Sequence, residues 1–131
     1  MTTTFATALN CMDGRVQEPV SELLKKEFSV EVADTITEPG IVKMLGTGST
    51  NVENNNEVSP DWLRKKIDIS IHHHHSQGIA IVAHADCAGN PITKEEQLQQ
   101  LKQAKELVKS WYPQTKVLSI WVEPKNDIWQ A

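Results

Sequence analysis

One short run, Ile79-Ala80-Ile81-Val82-Ala83-His84, sets the tightest limit on the fold. Its first five residues are apolar without interruption, and Gly78 precedes it. A strand with one wet face alternates apolar and polar residues, whereas an unbroken apolar strand belongs to a parallel sheet covered on both faces. Such a sheet needs helices between its strands, so the neighbouring segments should carry helical patterning.

They do. "TFATALN" reads as a buried strand over roughly residues 3–10, and "EPVSELLKKEF" as a helix with Val20, Leu23, Leu24 and Phe28 on one side. "SVEVADTIT" alternates at Val30, Val32 and Ile36, which predicts a second strand. "SPDWLRKKIDISIHHHHSQG" predicts a helix capped by Ser59, with Pro60 in its first turn and Gly78 at its end. "NPITKEEQLQQLKQAKELVKSWYP" predicts another, opened by a Thr93/Glu96 capping box, with Leu98, Leu101, Ala104, Leu107 and Val108 on its apolar side. "KVLSIWVEPKNDIWQA" supplies a last strand and a turn at residues 124–127. Strands alternate with helices throughout. The predicted fold is a three-layer α/β domain spanning residues 1–131. Its mostly parallel, four- to five-stranded sheet has the order 2-1-3-4 and is flanked by helices.

The segment after Pro39-Gly40 breaks this pattern, and residues 46–59, rich in Gly and Asn, read as a long mobile loop. Its "GTGST" lacks the Gly-Lys-Ser/Thr ending of a phosphate-binding loop. The 131 residues suffice for one core. A net charge of -4 with scattered basic residues argues against nucleic acid as a partner. No apolar run approaches the ~20 residues of a membrane span, and the first ten residues do not read as a signal peptide. A cytoplasmic protein is the expectation. In that setting the two cysteines, Cys11 and Cys87, favour metal or thiolate chemistry over a disulfide.

In the predicted order the first and third strands are parallel neighbours. Cys11 follows one, and His84 to Cys87 follow the other, at the crevice where open α/β sheets bind ligands. Zinc favours thiolate and imidazole ligands, and three protein ligands leave one position open, the pattern of a catalytic site. Such a metal brings the pKa of bound water to ~7, making hydroxide available. Asp13 is placed either to accept a hydrogen bond from that hydroxide or to occupy the fourth position itself. Arg15, two residues on, is placed to pair with Asp13 and hold it off the metal.

"CMDGR" and "HADC" resemble the Cys-x-Asp-x-Arg and His-x-x-Cys motifs of the beta-class carbonic anhydrases, and the resemblance extends over most of the chain. It implies Cys11, His84 and Cys87 as ligands of one zinc per chain, and Asp13 with Arg15 as a catalytic dyad. The implied reaction is reversible hydration of carbon dioxide to bicarbonate by zinc-bound hydroxide. The implied assembly is a homodimer or higher homo-oligomer. Where the family has Arg-Asn-Ala-Gly after its second strand, this chain has Thr37-Glu38-Pro39-Gly40; where it has glycine after the last cysteine ligand, this chain has Ala88 and then Gly89. Two rival readings keep the zinc: hydrolysis of carbonyl sulfide or carbon disulfide, or a zinc protein without catalysis.

Other eye-catching residues read more plainly. Consecutive side chains His72 to His75 would radiate around a helix and cannot all reach one metal, and histidines suit a helix's last turn. Trp62, Trp111, Trp121 and Trp129 read as core or interface residues, with Trp121 and Trp129, near an edge, as candidates for a dimer surface. Only three residues separate Cys11 from Arg15, too few for a phosphatase-type loop.

Overall fold

A computed structural model describes residues 2–48, 60–123 and 128–131. Strand β1 is Phe5–Asn10, followed by a single tight turn of helix at Gly14–Val16 and helix α1, Gln17–Glu27. Strand β2 (Val32–Thr37), helices α2 (Ile41–Thr47) and α3 (Pro60–Asp68), strand β3 (Ile79–His84), helix α4 (Lys94–Trp111) and strands β4 (Val117–Val122) and β5 (Ile128–Gln130) complete it. The sheet runs β2-β1-β3-β4-β5. The first four strands are parallel in the predicted 2-1-3-4 order, and β5 adds to β4 antiparallel.

All six residues of β3 are buried. Ile79, Ile81 and Ala83 join Leu9, Leu45, Leu63, Ile67, Leu101 and Trp121 in the core beneath α2, α3 and α4. Ala80 and Val82 join Ala6, Ala8, Val20, Leu24 and Ile120 in the core beneath α1. The unbroken apolar run is thus shared between two cores, each taking alternate side chains.

The ladders end at different heights. β1 pairs with β2 out to Asn10–Thr37, and β3 pairs with β4 out to His84–Val122. Between β1 and β3 the pairing stops at Leu9–Ile81. The sheet therefore splits at its carboxyl end, between the two central strands, where the connections leave in opposite directions.

Several expectations need correction. Residues 41–47 are helical, with Ile41, Val42, Met44 and Leu45 buried, between left-handed glycines Gly40 (φ 58°) and Gly48 (φ 74°). Two turns are too short to display a helical period, and the flanking glycines disguised them. The rest of the expected loop, like the Ser59 cap and the turn at 124–127, lies outside the described residues. β2 begins at Val32, after a turn in which Ser29 has φ 53°. Val32 is 37% exposed because β2 is an edge strand, while Val30, ahead of the strand, is the buried residue.

The helix α3 continues through a widened turn at Ile69–His73, in which the His74 N–H bonds the Ile69 carbonyl at 3.2 Å. It ends at His75 (φ 54°), not at Gly78. Gly78 answers a different need, since a Cβ there would lie 2.0 Å from the Phe28 ring. The widened turn lets buried Ser70 donate to the Asp34 carboxylate (2.7 Å), which also accepts from His74 Nδ1 (2.6 Å). The His74 ring stacks on Phe5 with centroids 4.2 Å apart. Trp121 is not at an edge, because β5 lies beyond β4; it is fully buried and its indole N–H donates to Glu123 Oε1 at 2.6 Å. Trp62 is exposed on α3.

Gly46 marks the closest approach of α2 to α4: a Cβ there would lie 2.5 Å from the Gln100 carbonyl oxygen. In an open helix Gly→Ala stabilises by up to ~1 kcal/mol. Here backbone must move, a strain of about 1–3 kcal/mol. Gly46→Ala is therefore expected to lower the urea midpoint of unfolding. A raised midpoint would show that α2 can shift off α4 freely.

Candidate metal centre

Cys11 is the first residue past β1, and His84 is the last residue of β3. Beyond β3 the Ala85 N–H still bonds the Val122 carbonyl (3.0 Å), and then Asp86 takes φ 55° and reverses the chain. Aspartate tolerates this left-handed conformation better than most residues. The reversal brings Cys87 back toward the sheet split. The next turn, where the Asn90 N–H bonds the Cys87 carbonyl at 3.2 Å, packs against Pro39-Gly40 so tightly that a Cβ on Gly89 would lie 2.8 Å from the Pro39 carbonyl carbon.

The result gathers Cys11, His84 and Cys87, all buried, with one ligand atom of each within 4.8 Å of the others. The two sulfurs are 3.9 Å apart, and both thiols are free. Zinc–sulfur bonds of ~2.3 Å in a tetrahedral shell place two sulfurs about 3.8 Å apart. His84 Nδ1 donates to the Ala85 carbonyl at 2.8 Å, which fixes the ring and its tautomer. Its Nε2 is buried and has no hydrogen-bond partner. An unpartnered buried nitrogen is costly unless something binds it. Two thiols at the zinc edge length and a presented imidazole lone pair fit a zinc ion.

One thiol of the pair is already biased toward ionisation, at the expense of the other. The Cys87 S–H and the N–H groups of Gly40 and Asp13 pull the Cys11 pKa well below the ordinary thiol value against the effect of burial. Cys87, donor to that sulfur and buried beside it, is pushed up.

Asp13 and Arg15 stand at the same split. Asp13 caps the short helical turn, accepting from the Arg15 N–H at 2.9 Å. The Arg15 guanidinium closes on its carboxylate through Nε (3.0 Å) and Nη2 (2.7 Å). The Arg15 side chain and then its backbone N–H hold the Asp13 carboxyl down to about 2.

This geometry accompanies a match in sequence. Residues 1–131 match the family described as "Putative carbonic anhydrase". The chain belongs to that family. No curated protein matches it. No helix among the described residues is long and apolar enough to cross a membrane.

Several groups around the centre went unread in the sequence. Gln17 Nε2 donates to the carbonyls of Cys11 (2.7 Å) and Asp13 (2.8 Å), fixing the turn that carries both. Buried Gln97 donates to the His84 carbonyl at 2.9 Å. Gln97 stands in helical phase with Leu101, Ala104 and Val108, so its place on the buried stripe was legible; nothing in the sequence marked Gln17. Gly40, next to the turn that opens α2, turns its N–H toward Cys11. Asp86 also holds Arg15, through its carboxylate and its carbonyl.

The four consecutive histidines lie elsewhere. His74 packs on Phe5, at the start of the strand that Cys11 follows, which six residues of strand put roughly 20 Å from the centre.

Arg15 accounts for the low Asp13 pKa, so Arg15→Ala is expected to move it from about 2 toward its ordinary value of ~3.9. Carboxyl-carbon NMR titration of the metal-free chain reads this directly. Folded-state depression stabilises above the unfolded pKa and is lost as pH falls toward 2, so the variant should also show a weaker fall in stability over that acid range. An unchanged Asp13 titration would remove Arg15 as the cause.

Proposed function

We propose that the chain is a zinc-dependent carbonic anhydrase that reversibly hydrates carbon dioxide to bicarbonate. The observation that carries this reading is the sulfur pair at 3.9 Å facing an unpartnered His84 Nε2, in a chain matched over its whole length to a carbonic anhydrase-like family. Cys11, His84 and Cys87 would hold one zinc ion. Bound there, zinc supplies a Lewis acid that makes a nucleophile available from water near neutral pH.

The chain's own groups have defined tasks. The Ala85 carbonyl on Nδ1 fixes the His84 tautomer, so that Nε2 is the atom offered to a metal. Asp13 is an anion throughout the neutral range, since its carboxyl titrates near 2. So acidic a carboxyl is a poor proton acceptor at neutral pH, which makes Asp13 an orienting hydrogen-bond acceptor and not the general base. Arg15 occupies both carboxylate oxygens with Nε and Nη2 and so restrains Asp13 from swinging onto the metal. The proton released in the reaction leaves to solvent buffer, because His72 to His75 sit at the far end of the sheet, about 20 Å away.

The altered segment Thr37–Gly40 touches the centre through Gly40 and Gly89. That contact favours one rival reading, hydrolysis of carbonyl sulfide or carbon disulfide, linear and apolar like carbon dioxide. Comparing turnover of the three gases on one sample decides between them.

Stopped-flow hydration of carbon dioxide by zinc-loaded protein is expected to track zinc content, to rise with buffer concentration, and to vanish in Cys87→Ala. Asp13→Asn should lose about 10–100-fold, the usual effect of a group that orients a metal's surroundings. Full zinc loading without hydration at any pH from about 6 to 9 would refute the assignment.

A further inference from the structure

The ladder between β1 and β3 stops at Leu9–Ile81, two residues before Cys11 and three before His84. Each side of the split is fixed to its outer neighbour, β1 to β2 and β3 to β4. Sheet hydrogen bonds between the two central strands therefore do not set the gap between the Cys11 turn and the His84–Cys87 turn.

Arg15 spans that gap. On its own side it holds Asp13 through Nε and Nη2. Across the split, Nη2 donates to the Asp86 carbonyl at 3.1 Å and Nη1 donates to the Asp86 carboxylate at 3.3 Å. A guanidinium can do this because its donors form a rigid planar fork; an ammonium has no second arm. Asp86 can do it because φ 55° turns its carbonyl and carboxylate toward the same partner.

We propose that Asp86 is a positioning residue: with Arg15 it straps the 84–87 turn to the 11–15 turn and so sets the separation of the Cys11 and Cys87 sulfurs. Its purpose rests on the zinc reading above; its geometry does not. Asp86 touches neither the sulfurs nor His84 Nε2, and it acts only through Arg15.

The test uses the full chain and two probes. Cobalt(II) reports affinity and the thiolate-to-metal charge-transfer band. An arylarsenoxide bonds two neighbouring thiols with release of one water, and so reports sulfur separation without zinc. Asp86→Gly deletes the side chain while keeping positive φ and the carbonyl acceptor, so the turn itself is not strained. Arg15→Lys keeps the charge and removes the fork.

Each single variant is expected to bind cobalt roughly tenfold more weakly, with an altered charge-transfer band. That is the low end for groups surrounding metal ligands, because the Asp86 side chain is 81% exposed. Capture of the arsenical should slow in the same order, and Asp86→Asn, which keeps an acceptor and tolerates positive φ, should recover part of both losses. The double variant should be no worse than Arg15→Lys alone, since the Asp86 side chain acts only through the Arg15 fork. Asp86→Gly indistinguishable from wild type with both probes, or losses that add in the double variant, would overturn the proposal. If wild type captures the arsenical but takes up neither cobalt nor zinc, the zinc reading fails and the arsenical results alone judge the strap.

Discussion

Everything at the centre depends on where the two middle strands stop pairing. Parallel strands β1 and β3 must be neighbours for Cys11 and His84 to meet at all. They must also part before those residues, or the space between them would be filled by ladder. The early end of pairing at Leu9–Ile81 meets both conditions. Burial makes the arrangement stiff: β3 is covered on both faces, with alternate residues committed to opposite cores. A slip of one residue would send every side chain to the wrong face, so the register is strongly specified.

Much of this was legible from residues alone. The unbroken apolar run at 79–84 announced a doubly covered parallel strand, and the Thr93/Glu96 capping box located the start of α4, where both of its reciprocal bonds are present. The gathering of Cys11, His84 and Cys87 followed from strand order, because two strand ends side by side leave few other places for them. What escaped was short or depended on contact. Two turns of helix at 41–47 carry too few residues to show a period. The widened turn after α3 answers Asp34 and Thr7, both distant in sequence, with the Thr7 and Ser70 hydroxyls 2.6 Å apart. Gln17 resembles any surface glutamine until the carbonyls it holds are seen.

The glycines teach the same lesson. Gly78 looked like a helix terminator, the most common use of glycine after a helical stretch. The terminator is His75, and Gly78 is glycine because the Phe28 ring occupies the space where a Cβ would stand. Composition identifies glycine as special without saying whether backbone conformation or a neighbour demands it.

Gly89 carries the same kind of demand to the edge of the metal centre. It faces the main chain of Pro39 and Gly40, with no room between them for even a methyl group. Two segments in which the sequence differs from the beta-class pattern it resembles, residues 37–40 and 88–89, therefore meet through Gly89 and the main chain of Pro39 and Gly40. Position 89 thus works as a gauge of the 39–40 main chain: a larger residue fits there only if that chain steps aside.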